Sequence, residues 1–151
     1  VYRKATLALA ATVATVGTAV LVPTTAYAAT YDGADPNSTG CARTASSPRV
    51  ASIFRQGNPT IQNRIGYIEL RYSSSCRTVW GRVVIFTEPT SDFVEVIRNS
   101  DGAVEGCYDA FWQDSLHGYS CYTPMLNDRN VTSYALGGRN VDGETEYTGS
   151  Y

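Results

Sequence analysis

Ile65-Gly66-Tyr67-Ile68-Glu69-Leu70-Arg71-Tyr72 and Thr78-Val79-Trp80-Gly81-Arg82-Val83-Val84-Ile85-Phe86, separated only by Ser73–Arg77, decide the fold. Both runs are dense in β-branched and aromatic residues, which suit a pleated, half-buried surface. Successive side chains on a strand point to opposite faces, so Ile68, Leu70 and Tyr72 share one face and Glu69 and Arg71 the other. In the second run Trp80, Val84 and Phe86 share a face that Arg82 interrupts. The short polar connection predicts that the two strands pair antiparallel.

Working outward, Arg49–Phe54 reads as a strand followed by the turn residues Gly57, Asn58 and Pro59. Phe93–Arg98 and Ala103–Tyr108 read as a second hairpin around Asn99-Ser100-Asp101-Gly102, where glycine supplies positive φ. Residues 119–126 and Val131–Leu136 add strands. Residues 30–48 are expected to be irregular and pinned by Cys41, and Gly137–Tyr151 to be a polar, frayed end. Roughly five to seven short strands with regular turns predict an all-β, mainly antiparallel domain, a small disulfide-bonded barrel or sandwich.

The chain has 151 residues, a net charge of −2, 43% hydrophobic and 11% aromatic residues. That composition excludes a disordered tail, and a pI near 5.3 lacks the basic footprint of a nucleic-acid binder. Arg3 and Lys4, the apolar run Ala5–Val22, and small residues at Ala26 and Ala28 read as a secretory signal peptide over residues 1–28. Residues 29–40 are then an irregular N-terminal segment and 41–151 the β domain, secreted and without a membrane span after cleavage. Removing the leader leaves ten basic residues, all arginine, against 14 acidic ones, a charge of −4. No lysine remains for Schiff-base chemistry.

Cys41, Cys76, Cys107 and Cys121 make an even count in an exported chain and read as two disulfides. Pairing Cys41 with Cys76 and Cys107 with Cys121 is favoured. The first pair brackets the strand region and the second one short aromatic segment. No CxxC pair points to zinc.

Catalytic patterns are scarce. His117 is the single histidine, and GxSxG, HExxH, P-loop and GxGxxG patterns are absent. Glu69, Glu88, Glu95 and Glu105 include no pair marked out for acid–base work. Asp32, Asp35 and Asn37, and again Asp142, Glu144 and Glu146, supply oxygens of the kind calcium takes. Turn chemistry accounts for the first group and a solvated edge for the second, so no metal and no cofactor is assigned. Tyr108, Phe111, Trp112, Tyr119 and Tyr122 form an aromatic segment able to serve as core, as a protein interface or as a sugar-stacking platform. Tyr108, Trp112 and Tyr119 are the candidate binding aromatics.

Asp35-Pro36-Asn37-Ser38-Thr39-Gly40-Cys41, the strand Leu70-Arg71-Tyr72-Ser73-Ser74-Ser75-Cys76 and the following Trp80-Gly81-Arg82 resemble the YjfA-like family of secreted proteins, widespread in streptomycetes and other Gram-positive bacteria. That family is a domain of unknown function. The resemblance implies a Cys41–Cys76 disulfide and a compact β domain without known catalysis. It also implies a distant likeness to the adaptor subunit of the umbrella-shaped toxin particles of Streptomyces. There an extended segment ahead of the domain enters a lectin partner, whereas here only Ala29–Gly40 separate the expected cleavage site from Cys41.

Leu70, Arg71, Tyr72, Trp80 and Arg82 read as the structural or partner-binding motif. Leu70 and Tyr72 pack inward, and Trp80 contributes the largest buried surface nearby. An exposed Arg–carboxylate pair is worth under about 1 kcal/mol, so Arg71 and Arg82, able to pair with Glu69 or with acids of adjacent strands, point to a partly buried cluster or a partner contact. The expected function is a non-enzymatic, secreted domain that binds another secreted protein as scaffold or adaptor. The alternatives are a cell-wall or glycan-binding module and a protease inhibitor presenting Ser75-Cys76-Arg77-Thr78.

Overall fold

A computed structural model describes residues 31–55, 58–88, 91–140 and 143–151. The expected signal peptide at 1–28, the turn residue Gly57 and Asp142 lie outside them. Ten strands are described: β1 (Ala45–Phe54), β2 (Arg64–Ser73), β3 (Thr78–Ile85), β4 (Asp92–Arg98), β5 (Val104–Cys107), β6 (Phe111–Gln113), β7 (Gly118–Tyr122), β8 (Leu126–Asn127), β9 (Ser133–Arg139) and β10 (Glu144–Tyr147). One sheet runs β1-β2-β3-β7-β6 with β8 also on β3; the other runs β10-β9-β4-β5. Every pairing is antiparallel.

The β2–β3 hairpin forms as the alternation predicts, with Glu69 opposite Arg82 and Arg71 opposite Trp80. Its apolar face packs on the second sheet. Ile68, Leu70, Val79, Val83 and Ile85 meet Val94, Val96 and Ala135, all at most 3% exposed. The sheets do not close on each other, so the architecture is a sandwich rather than a barrel. They approach most tightly at glycines. A Cβ on Gly81 would lie 2.7 Å from Val94 Cγ2, and one on Gly137 2.9 Å from Ile68 Cγ2.

Trp80 is buried, on the face opposite Leu70. It packs in a second cluster with Cys41 and Met125 beneath Tyr31, Ala34, Ala42 and Ala45. Strand β1 begins at Ala45 rather than Arg49, because a bulge between Ser46 and Arg49 absorbs Pro48 on an edge strand, where its missing N–H costs no ladder bond. The strand expected over 119–126 is broken in two at Thr123-Pro124. The C-terminal end is held rather than frayed: beyond β10 the Thr148 amide donates to the Ala135 carbonyl, and Tyr151 and Ser133 exchange both backbone bonds.

Two disulfides fasten these layers. Cys41–Cys76 ties the N-terminal segment to the β2–β3 turn, and Cys107–Cys121 ties edge strand β5 of one sheet to β7 of the other.

Candidate functional site

The outer face of the first sheet is covered at one end by residues 31–44, which cross it as a strap. Asp35 shapes the strap, accepting from the Asn37 and Ser38 amides at 2.8 Å each, while the Thr39 hydroxyl donates to the Asp35 carbonyl at 2.9 Å. Asp32 anchors its start, accepting from the Asn127 amide at 2.6 Å and from Arg98 Nη1 at 2.9–3.0 Å. Arg98 is 8% exposed, and it also donates to both Asp101 oxygens and to the Asn127 carbonyl. These bonds raise its pKa, the Asp101 hydrogen bond being the main cause, and hold Asp101 low, at about 2. Nearby, burial pushes the Asp128 carboxyl up to about 6, against the opposing effects of its Ser133 hydrogen bond and of Arg77 and Arg98.

Between this strap and the β6–β7 hairpin lies a groove of about 470 Å³. Arg71, Trp80 and Arg82 line its sheet side, Pro36 and Asn37 the strap side, and Phe111 and Gln113 the hairpin side. A polar bridge joins the walls, since Tyr122 Oη accepts from Asn37 Nδ2 at 2.8 Å and donates to Asp35 at 3.1 Å.

On the sheet side of the groove the charge is arranged around Glu69. Arg82 contacts Glu69 through Nε and Nη2 at 2.5 Å, and Arg71 Nη1 lies 3.7 Å from the same oxygen. Two guanidinium groups therefore share one largely buried carboxylate, and Asp109 adds a second carboxylate to the groove's lining. Arg71 lies 6.0 Å from the Trp80 ring centroid, and its Nε is buried without a hydrogen-bond partner among the described residues. Burial, and then the charge of Arg82, lower the Arg71 pKa, opposed by Glu69. Further along, Arg64 stacks on Tyr67 and Phe86 at 5.3 and 5.6 Å. The chemistry on offer is recognition of an acceptor-rich or anionic group beside aromatic surface, with arginine's planar fork suited to carboxylate.

Of the five motif residues, Arg71, Trp80 and Arg82 meet at this groove. Leu70 lies in the inter-sheet core, and Tyr72 packs edge-on against Tyr151 at 5.2 Å. The three candidate aromatics do not form one platform. Trp112 and Tyr119 stack edge-on at 5.2 Å, while Tyr108 turns over Gly106 and donates its hydroxyl to Glu95. His117 is an exposed turn residue with φ 49°. Arg77 also has a left-handed backbone, φ 56°, and its carbonyl accepts from the Asp128 amide, whereas a protease bait is extended. Sequence reading did not foresee the bridge of Asn37, Tyr122 and Asp35 or the place of Gln113. The strand order β3-β7-β6 and the strap across that sheet bring these distant segments together, and no local pattern announces it.

Comparisons with known proteins place these residues in a family. No solved structure matches the chain. The protein titled "Uncharacterized protein YjfA" of Bacillus subtilis (strain 168) is 34% identical over 121 residues, covering 76% of this chain and 74% of the relative. The family described as "Protein of unknown function (DUF2690)" matches residues 29–136, a span that holds all four cysteines, the strap and the groove. With more than two thirds of the chain matched, the protein belongs to the DUF2690 family of YjfA-like proteins.

Proposed function

We propose that the protein is an exported, non-enzymatic β domain that works by protein–protein contact, docking another extracellular protein in the groove between the strap and the β6–β7 hairpin. The observation that carries this reading is the pair Arg71 and Arg82 converging on Glu69 beside Trp80, with the Arg71 Nε buried and without a hydrogen-bond partner among the described residues. Partly buried arginines next to aromatic surface are typical of interface anchors, whereas among the described residues no hydrogen bond in the groove joins a serine nucleophile to a base. Phe111, 69% exposed, gives the rim an apolar contact. Two disulfides suit an oxidising compartment. A scaffold or adaptor role in an extracellular assembly fits a small, rigid domain of this kind.

The test is capture from the culture supernatant of the producing organism with the tagged domain, comparing wild type with Arg82→Ala at equal melting temperature. The reading expects a stoichiometric partner that is lost with Arg82→Ala. Equal recovery by both would contradict it.

A glycan-binding reading draws on Trp112, half exposed and backed edge-on by Tyr119. It expects peptidoglycan or chitin to sediment the protein and Trp112→Ala to abolish sedimentation.

A further inference from the structure

We infer that the partner enters as an extended strand, apolar on both faces, that adds to the free edge of β6. This rests on the docking function proposed above and names how the partner's backbone is recognised at the same site. Among the described residues, β1, β5, β6, β8 and β10 each pair on one side only. Such edges invite further pairing unless they are blunted. β1 carries Pro48, a bulge and Arg49, β5 carries Glu105 and the disulfide to β7, and β10 carries Glu144 and Glu146. β8 is covered by the strap, where the Gly33 amide donates to the Met125 carbonyl and the Met125 amide to the Ala34 carbonyl, at 2.9 Å each. β6 is Phe111-Trp112-Gln113, with no charge, proline or bulge, and all three residues are exposed. Among the described residues its backbone pairs only with β7.

The occupant follows from these groups. Free N–H and C=O groups at strand spacing are matched by another polypeptide backbone, not by a sugar or a lipid. Phe111 and Gln113 line the groove, while Trp112 stacks on Tyr119 on the opposite face. An added strand therefore sets alternate residues beside Phe111 in the groove and beside Trp112 behind it. Three residues offer few ladder bonds, so Phe111 and Trp112, 69% and 50% exposed, supply the apolar contact on the two faces. A second copy of this chain fits poorly. Asp109 and Asp114 bracket β6, and antiparallel self-pairing through Trp112 sets Asp114 opposite Ala110, next to Asp109 of the other copy.

The probe is a fluorescein-labelled peptide alternating tyrosine with valine between terminal arginines, used where the peptide alone is monomeric. Its twin has the same side chains with every internal amide N-methylated. Both are read by anisotropy against the disulfide-bonded domain, and by amide hydrogen exchange of the domain. The parent peptide is expected to bind and to slow exchange within Phe111–Gln113. The methylated twin is expected to bind at least about tenfold more weakly, as follows from losing two or more ladder bonds. Equal binding of the two peptides, or protection by the parent that leaves Phe111–Gln113 unchanged, would overturn the inference. If the parent fails to bind while partner capture still requires Arg82, strand addition is overturned and the docking function stands. If β6 pairs with the parent and capture ignores Arg82, the edge stands and the docking function in the groove is overturned.

Discussion

Arg98 shows how a single side chain holds the strap in place. It bonds Asp32, Asp101 and the Asn127 carbonyl from a position 8% exposed. Arg98→Ala leaves those acceptors without their donor and is expected to cost about 2–3 kcal/mol, read by denaturant unfolding. Lysine is not expected to rescue it, since one ammonium cannot serve three acceptors in a planar fork. Asp128 gives a pH signature. Its folded pKa, about 6, lies above the ordinary aspartate value, so the folded state favours the protonated acid. The stabilisation is full below about pH 4 and lost as pH rises through about 6, amounting to at most about 2–3 kcal/mol. Asp128→Asn mimics the neutral acid and should flatten that part of the melting-temperature profile; an unchanged profile would contradict the assignment. Neither residue stood out in the sequence, because the partners of Arg98 come from segments on both sides of it, up to 66 positions away.

At the scale of elements, the β2–β3 and β4–β5 hairpins were legible because alternation and the Asp101-Gly102 turn are local signals, and Gly102 does adopt φ +70°. Alternation grouped Trp80 with Val84 and Phe86 on one face, yet gave no sign of the strap that buries Trp80. Periodicity gives the face of a residue but not what covers that face. The C-terminal run misled for a related reason: its polar residues join the sheet through backbone bonds, which composition does not reveal, and Thr148 is 2% exposed. Truncation after Tyr147 is therefore expected to lower the melting temperature and speed amide exchange at Ser133 and Ala135. Gly81→Val should be harmful by about 1–3 kcal/mol, since its first added carbon already falls 2.7 Å from Val94 Cγ2. The Cys41–Cys76 bond closes 35 residues, and Cys41→Ser with Cys76→Ser is expected to cost about 3–4 kcal/mol.

For the whole molecule, the even cysteine count and the alternating strands were enough to predict a disulfide-bonded β domain. The groove was legible only in part. Arg71, Trp80 and Arg82 stood out as a motif, while its second wall comes from Phe111 and Gln113 and its bridge from Asn37 and Tyr122, which the strand order β3-β7-β6 and the strap bring beside them. A small sandwich stapled within one layer and between layers has little need to deform on binding, so a partner should leave a compact footprint on a preformed surface. Amide hydrogen exchange of the domain with and without its captured partner tests that most directly. Protection confined to the strap, to residues around Trp80 and Arg82, and to Phe111–Gln113 is the predicted result. Protection centred instead on the outer face of the second sheet, around Glu95, Gly106 and Tyr108, would contradict the account.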